Sequence, residues 1–424
     1  MLLAINGGTP VISYEFAPYI TIGKEEIDAV TMVMRSGSLS RFHGSWSPDF
    51  YGGPMVQRFE KKWAEFFGVK YAISVNSWTS GLTAAIGAIG IEPGDEVIVS
   101  PWTMAASATS ILHWNAIPVF ADISREDFCL DLSSTEQAIT PFTKAIMVVD
   151  IFGQSADIDG FRALAKKHNL RLITDTAQAP GAVYKDQLAG TLSDIGGFSL
   201  NYHKHIHTGE GGMVVTNDID LAERARLIRN HAEAVVGDKC ESNLVNMVGY
   251  NFRMGEIEAA IGIEQLKKLP ALLESRQQIG NSLGAKLSEI PGLIVPKVMP
   301  GRNSVFYVLP LILELEKLTV GRKEIHAALI AEGVTGISQG YTNLHLLPMF
   351  QKKIAYGSKG FPWVPGIVNR DIDYSLGICP VAEELHASSF MGFEVCKFNL
   401  SEFEVDLIAE AFRKVFSYYS IGRE

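Results

Sequence analysis

The stretch YAISVNSWTSGLTAAIGAIGIEPGDEVIVSPW, residues 71–102, decides the fold. Two short runs rich in valine and isoleucine, YAISV (71–75) and EVIVS (96–100), enclose the helical pattern SGLTAAIGAIG. Apolar runs that do not alternate with polar residues are typical of strands buried on both faces. The order strand, helix, strand therefore predicts two parallel strands joined by a crossover helix.

The same alternation continues beyond residue 102. Further strand candidates are IPVFADI (117–123), AIMVVDIF (145–152), LRLITD (170–175), IGGFSL (195–200) and GMVVTN (212–217). Together with the first two runs they predict an α/β fold, in which a mostly parallel, seven-stranded sheet lies between helices.

The chain is predicted to divide into three parts. Residues 1–20 form an irregular N-terminal arm, and residues 21–274 form the large α/β domain. Residues 275–424 contain strands and helices with more proline and form a smaller C-terminal α/β domain. One or two long helices are predicted over residues 255–290, where the two domains meet.

Composition and charge argue against several classes of protein. The net charge is −10 and the isoelectric point is about 5.6, which argues against a nucleic-acid-binding protein. No run of about eighteen apolar residues occurs, so no membrane-spanning helix is predicted. The four cysteines lie far apart and form no CxxC pair. This spacing argues against a disulfide framework and favours a reducing cytoplasm.

Candidate functional side chains follow the strands, because parallel sheets bind ligands beyond the carboxyl ends of their strands. Thr79 and Ser80 open a helix after the first strand, and hydroxyl groups at a helix N-terminus form an anion site. Asp175 ends another strand, where a buried carboxylate needs a partner. Ser199 lies in the strand IGGFSL, and Lys204 follows five residues later. Helix capping and a structural ion pair are the alternative interpretations.

An anion site, a strand-end acid and a lysine on the same rim indicate pyridoxal 5′-phosphate. The lysine would form a Schiff base with the aldehyde, and burial readily lowers the pKa of a lysine. The carboxylate would keep the pyridine nitrogen protonated, so that the ring acts as an electron sink. The hydroxyl groups would anchor the phosphate.

The segment NYHKHIHTGEGG (201–212) offers a competing interpretation. A strand through it would align His203, His205 and His207 on one side, as a metal site requires. We expect instead that the chain turns after FSL to place Lys204. The histidines then become neighbours of the lysine, and no metal is predicted.

The order and spacing of several motifs resemble a known family. The matching stretches include NSWTSGLTAAIGAIGIEPGDEVIVSPWTMAASATSIL, AIPVFADI, ITDTAQAPGA, FSLNYHKHIHTGEGGMVVTND and GYNFRMGEIEAAIG. They resemble the DegT/DnrJ/EryC1/StrS family of sugar aminotransferases, which are fold-type-I enzymes that use pyridoxal phosphate. The resemblance covers most of the chain and is strongest between about residues 70 and 262.

The resemblance implies a role for each matching residue. Lys204 corresponds to the Schiff-base lysine, Asp175 to the partner of the pyridine nitrogen, and Gln178 to the residue near the 3-hydroxyl of the ring. Asn251, in GYNFRM, corresponds to a residue that the neighbouring subunit lends to the phosphate, which implies a homodimer with shared active sites. The phosphate cradle corresponds to three hydroxyl residues: Thr79, Ser80 and Ser199.

Two positions depart from the family pattern. Trp78 stands where the family usually has a small residue. Met104 stands where an aromatic side chain commonly covers the cofactor ring, and Trp102, two residues earlier, is an alternative cover.

The sequence therefore predicts transamination of a keto sugar, nucleotide-linked, with glutamate or glutamine as amino donor. Such a reaction belongs to amino-sugar, polysaccharide or natural-product biosynthesis. A cyclitol or aminoshikimate-type aminotransferase is an alternative, since those relatives share the cofactor residues. A sugar dehydratase is disfavoured because such relatives have histidine in place of the lysine. A non-catalytic protein on the same fold and a histidine metalloenzyme are the remaining alternatives.

Overall fold

The large α/β part occupies the first half of the chain. We describe residues 2–421 from a computed structural model. The helices and strands of the large α/β part, up to residue 229, are α1 Lys24–Ser36, α2 Pro54–Phe67, β1 Tyr71–Val75, α3 Trp78–Ala88, β2 Glu96–Val99, α4 Ala106–Leu112, β3 Ile117–Phe120, α5 Leu132–Ala138, β4 Thr143–Val149, α6 Ile158–His168, β5 Arg171–Asp175, β6 Val183–Tyr184, β7 Gln187–Leu188, β8 Ile195–Ser199, β9 Gly212–Thr216 and α7 Ile219–Arg229.

Seven of these strands form one sheet in the order β1-β9-β8-β5-β4-β2-β3. Only β9 runs against its neighbours, β1 and β8, so the predicted mostly parallel sheet is confirmed. The strands β3 and β4 end earlier than predicted, at Phe120 and Val149. Ile123 and Ile151 lie beyond these strand ends and are buried in the core without pairing in the sheet. Their burial explains why each apolar run in the sequence is longer than its strand.

The carboxyl ends of the parallel strands form one edge of the sheet. The helix α3 packs against β8 and β9, and two residues, Asn76 and Ser77, separate its first residue from the end of β1. Because β9 is antiparallel, its N-terminal residue Gly212 lies at this edge and pairs with Ser199, the last residue of β8. The loops that follow β1, β2, β5 and β8 therefore meet at this edge of the sheet.

The second part of the chain forms a smaller sheet. Its helices and strands are α8 Glu256–Leu287, β10 Leu293–Ile294, β11 Leu309–Leu313, α9 Arg322–Ala331, β12 Ile337–Ser338, α10 Pro348–Gln351, α11 Pro380–Glu384, β13 Phe390–Phe393 and α12 Glu402–Tyr419. The four strands are antiparallel, in the order β10-β11-β13-β12. This sheet and the helices α9 and α12 enclose a hydrophobic core of their own.

The N-terminal arm packs on this smaller core. Leu3, Ile12 and Phe16 are buried in it. Glu332 is fully buried and accepts hydrogen bonds from the backbone nitrogens of Ala4 (2.8 Å) and Val11 (3.1 Å). A buried carboxylate needs such donors, so Glu332 anchors the arm.

A single helix, α8, spans the predicted boundary between the two domains. Its first half packs into the core of the large sheet with α2, while Ile279, Leu283 and Leu287 pack into the core of the smaller sheet. This change of partner falls near residue 274 and supports the predicted division at 274/275, which stays a prediction. Residue 1 and residues 422–424 of the predicted arm and small domain lie outside the described residues.

Two further expectations concern membranes and cysteines. Within residues 2–421, none of the helices has the length and hydropathy needed to span a bilayer. All four cysteines carry free thiols, and Cys240 is exposed.

Candidate active site

A cavity of about 200 Å³ lies at the carboxyl edge of the large sheet. It is lined by residues from the loops after β1, β2, β5 and β8, together with two tyrosines from the smaller part of the chain. Six predicted site residues line it: Thr79, Met104, Asp175, Gln178, Ser199 and Lys204. The sheet topology therefore brings together side chains that are far apart in sequence.

Lys204 lies in a tight turn after β8. The backbone nitrogen of Lys204 donates to the carbonyl oxygen of Asn201 (3.0 Å), and that of Thr208 donates to Leu200 (3.0 Å). The side chain is 7% exposed, and its Nζ lies 4.2 Å from the ring centroid of Tyr307. Burial lowers the pKa of Lys204 to about 8, although the Asp175 carboxylate opposes the shift. About a tenth of this lysine is therefore a neutral, nucleophilic amine at pH 7, far more than for a lysine with the ordinary pKa.

Asp175 is 4% exposed at the end of β5 and is held by three donors. Its Oδ1 accepts from Trp78 Nε1 (2.7 Å) and from the backbone nitrogen of Ala177 (3.2 Å), and its Oδ2 accepts from Ser107 Oγ (2.8 Å). All three donors are neutral, so they orient the carboxylate without cancelling its charge. Such a buried anion is suited to a positively charged partner in the cavity.

The N-terminus of α3 faces the cavity with hydroxyl groups around it. Ser77 caps the helix by accepting from the backbone nitrogen of Ser80 (3.2 Å), and the two hydroxyl groups lie 3.0 Å apart. Thr79 and Ser199 line the cavity, whereas Ser80 does not. Free backbone N–H groups at a helix N-terminus attract anions, so this corner suits a phosphate.

Gln178 joins the two parts of the chain at the cavity. Its Nε2 donates to the Tyr341 hydroxyl (2.8 Å), and its Oε1 accepts from the backbone nitrogen of Phe152 (2.9 Å). Burial raises the pKa of Tyr341 to about 12, so its hydroxyl stays protonated. The amide of Gln178 is consequently fixed in one orientation.

Met104 and Trp102 occupy different environments. Trp102 is fully buried, packs against Phe128 and Phe390, and donates its indole N–H to the carbonyl oxygen of Tyr341. Met104 lines the cavity and is 60% exposed. Of the two, Met104 is therefore the side chain available to a ring in the cavity.

The three histidines of the 201–212 segment point to different places. His203 lines the cavity, and its burial and the nearby Lys204 lower its pKa to about 4. His205 is fully buried, with Nε2 2.8 Å from the carbonyl oxygen of Val305, and its burial lowers its pKa to about 4. His207 Nδ1 accepts from the backbone nitrogen of Gly209 (3.3 Å). No group of three or more metal-binding side chains occurs among the described residues.

Tyr307 and Tyr341 are cavity residues that sequence reasoning missed. Tyr307 lies just before β11, and Tyr341 lies in the loop after β12. Neither belongs to a recognisable motif, and both reach the cavity only because the smaller sheet packs beside the large one. Burial raises the pKa of Tyr307, so it too stays neutral.

A second cavity of about 430 Å³ adjoins the first. The two share His203, Tyr307 and Tyr341, and the second also contains Ser338 and the pair Glu394 and Lys397, whose charged atoms lie 3.5 Å apart. Its lining is aromatic and hydroxyl-bearing. A second molecule can therefore approach Lys204 from this side.

Asn251 lies outside the cavity of its own chain. It is exposed and forms an isolated bridge with Asn230. Within one chain it is not brought to Lys204, and its predicted role in a neighbouring subunit stays a prediction.

The topology and the chemistry of the cavity together define the class of protein. The sheet is mostly parallel, and its carboxyl edge presents a buried lysine and a buried carboxylate beside a helix N-terminus that suits an anion. This arrangement is the framework of the fold-type-I pyridoxal-phosphate enzymes. A sequence profile described as the DegT/DnrJ/EryC1/StrS aminotransferase family matches residues 21–380. The chain belongs to this family and is a pyridoxal-phosphate-dependent aminotransferase.

Three similar proteins illustrate the family. The spore coat polysaccharide biosynthesis protein SpsC of Bacillus subtilis is 38% identical over 82% of this chain and 88% of its own length. The L-glutamine:2-deoxy-scyllo-inosose aminotransferase of Micromonospora echinospora is 31% identical over 98% of both chains. A crystal structure of DesI in the presence of its TDP-sugar product superposes with a TM-score of 0.80 at 25% identity, covering 98% of this chain and 96% of that one.

Proposed function

We propose that this enzyme transfers an amino group from glutamate or glutamine to a nucleotide-linked keto sugar in amino-sugar, polysaccharide or natural-product biosynthesis. The single observation that carries the proposal is the environment of Lys204. This buried lysine has a pKa lowered to about 8, and its cavity adjoins another that is large enough for a second substrate. The four free thiols are compatible with a reducing compartment such as the cytoplasm.

The cavity residues fit the cofactor. When bound, pyridoxal phosphate supplies an aldehyde that carries the amino group and a ring that withdraws electrons. Asp175 is the buried anion suited to the ring nitrogen, and Gln178 lies where it can bond to the 3-hydroxyl. Met104 can contact the ring face. The phosphate would be held by the N-terminus of α3 and by the cavity residues Thr79 and Ser199. Ser80, which bonds to Ser77 and does not line the cavity, stays a predicted phosphate residue.

Lys204 is the group that moves protons. With a pKa of about 8 it is close to half neutral at pH 8, so its Nζ can both accept and return a proton under cellular conditions. The Tyr307 ring beneath Nζ stabilises the ammonium form through a cation–π contact. Asp175 adds a favourable charge interaction to that same form. The Asp175 carboxylate therefore opposes the fall in the lysine pKa that burial causes.

The adjoining cavity is the proposed acceptor site. Tyrosine, serine and histidine side chains suit a ring that carries several hydroxyl groups, because they can pack on its faces and hydrogen-bond to its edges. The sugar-nucleotide product named for DesI supports a nucleotide-linked acceptor. The inosose aminotransferase supports a free cyclitol as the second candidate and L-glutamine as donor.

A homodimer with shared active sites is part of the proposal. Large apolar side chains are exposed on α1 and in the 244–248 segment: Ile27, Met32, Met34, Leu244, Val245 and Val248. Surfaces of this kind mark protein interfaces. Asn251 lies close in sequence to the second patch, and we propose that it serves the phosphate site of the neighbouring subunit.

The acceptor class is tested by half-reactions. The enzyme is first converted to its amino-loaded form with glutamate or with glutamine, and the faster donor is identified from the absorbance of the bound cofactor. Nucleotide-linked 3-keto and 4-keto sugars are then compared with free keto-inositols. Recovery of the original absorbance with the nucleotide-linked sugars supports the proposal. Recovery with keto-inositols alone would replace it with the cyclitol alternative.

The shared site is tested by subunit exchange. Lys204→Ala and Asn251→Asp variants are each expected to be impaired. If Asn251 acts across the dimer, refolding the two variants together restores about a quarter of the wild-type activity, because half of the dimers are mixed and each has one intact site. If Asn251 acts within its own chain, the mixture gains nothing over the separate variants.

A further inference from the structure

The environment of Trp78 points to a role that the cofactor residues alone do not explain. Trp78 is the first residue of α3 and lines the cavity together with its neighbours Ser77 and Thr79. Its indole is 5% exposed, and Nε1 donates to Asp175 Oδ1 at 2.7 Å. A small residue at this position could not reach the carboxylate.

The indole occupies a space that two glycines keep open. A Cβ atom at Gly197, the β8 residue paired with Asp175, would lie 2.4 Å from Trp78 Cζ3. A Cβ atom at Gly81, one turn along α3, would lie 2.5 Å from Trp78 Cε3. Both distances are well below van der Waals contact, so any larger side chain at either position would displace the ring. The indole is thereby fixed between helix and sheet.

The three hydrogen bonds to the Asp175 carboxylate leave one of its acceptor sites without a donor among the described residues. A carboxylate offers about four acceptor sites, two on each oxygen. Trp78 and the backbone nitrogen of Ala177 occupy both sites on Oδ1, and Ser107 occupies one on Oδ2. Among donors from residues 2–421, these three leave one acceptor site, on Oδ2, available to a further donor.

We propose that Trp78 is a positioning residue for Asp175: its indole N–H fixes the carboxylate with one Oδ2 acceptor site open to the protonated ring nitrogen of the cofactor. Three donors hold the carboxylate in one orientation, so its open acceptor site has a fixed direction toward the cavity. The inference rests on the proposed role of Asp175. It adds a residue that acts through Asp175 without needing to touch the cofactor.

The test compares two ligands by calorimetric titration of the apoenzyme. One is pyridoxal phosphate, and the other is its analogue with C–H in place of the ring nitrogen. Trp78→Phe is expected to weaken pyridoxal phosphate binding about tenfold, the usual effect of a hydrogen bond to a charged group, and to change analogue binding less than twofold. Asp175→Asn should show the same selectivity, and the double variant should be no weaker than Asp175→Asn alone.

A matched control is available in the same core. Trp114 is also a buried tryptophan, and its Nε1 donates at 2.7 Å to the carbonyl oxygen of Thr83. Trp114→Phe should leave the affinity for both ligands within twofold of wild type. If Trp78→Phe is unstable, benzothienylalanine in place of Trp78 retains the ring shape and lacks only the N–H. It should reproduce the selective loss.

The outcomes separate the two assignments. Suppose that Asp175→Asn selectively weakens the binding of pyridoxal phosphate. If Trp78→Phe then weakens the binding of both ligands equally, or of neither, the proposed role of Trp78 is wrong. If Asp175→Asn itself fails to distinguish the two ligands, the proposed role of Asp175 is wrong and the role of Trp78 falls with it.

Discussion

The two walls of the active-site cavity come from different parts of the chain. The wall formed by the large sheet contains Asp175 and Ser199 at strand ends and Lys204 in the turn that follows. The wall formed by the smaller part of the chain contributes Tyr307 and Tyr341 from loops beside β11 and β12. The first wall is tied into the sheet, whereas the second reaches the cavity through loops.

This difference is visible in the bonds that each wall makes. Asp175 accepts three hydrogen bonds. Tyr341 accepts two hydrogen bonds from the large part of the chain, one from Gln178 at its hydroxyl and one from Trp102 at its carbonyl oxygen. Tyr307 meets the large part through its ring below Lys204. The large-sheet wall is therefore suited to fixing the cofactor. The loop wall is suited to adjusting the environment of the lysine and to admitting a substrate. Substitutions in each wall test this difference in role.

The largest effect is expected for Lys204→Ala on the large-sheet wall. Removal of the nucleophile and proton carrier should lower the rate of transamination by about a thousandfold or more. The rate of amino transfer from glutamate, followed by the absorbance of the bound cofactor, measures it. Lys185→Ala, which removes an exposed lysine paired with Asp159, is the control and should retain wild-type activity. Full activity in Lys204→Ala would contradict the assignment of the whole wall.

The second prediction concerns pH. The amine of Lys204 must be neutral to react, and its pKa is lowered from the ordinary value to about 8. The rate at which the apoenzyme binds pyridoxal phosphate covalently should therefore fall about tenfold for each pH unit below that value and level off above it. Stopped-flow absorbance measures the profile. A midpoint above pH 10 would show that burial does not shift this lysine.

Tyr307→Ala tests the loop wall directly and should have a smaller effect. Loss of the ring removes the cation–π contact at 4.2 Å and opens Lys204 to water. The rate should fall about tenfold. The pH midpoint should move upward, because burial is the largest cause of the lowered pKa of Lys204 and its relief outweighs the loss of the cation–π contact. Tyr307→Phe retains the ring and should stay within about twofold of wild type in both measurements. A Tyr307→Phe defect as large as that of Tyr307→Ala would point to the hydroxyl instead.

The smallest effect is expected for Tyr341→Phe. This variant removes the hydroxyl that accepts from Gln178 Nε2 and keeps the ring. One ordinary hydrogen bond is worth about 1 kcal/mol, so kcat/KM should fall about fivefold. The pH midpoint of Lys204 should not move. A loss comparable to Lys204→Ala would show that the loop wall is as essential as the sheet wall.

Sequence reasoning succeeded where short-range patterns decide structure. The strands around residues 71–102 were predicted because buried parallel strands need unbroken apolar runs. Functional residues at the strand ends followed from the same pattern, and Asp175, Ser199 and Lys204 do line one cavity. The turn after β8, expected in place of a strand through the histidines, is also present.

The fold class and the large-sheet wall can therefore be predicted from the amino-acid sequence, because apolar periodicity and strand-end motifs are local. Three features depend on the folded chain: Tyr307 and Tyr341 complete the cavity, Met104 and not Trp102 lines it, and Trp78 reaches Asp175. These are contacts between residues distant along the chain. They depend on how helices and sheets pack, and no local pattern of residues encodes them.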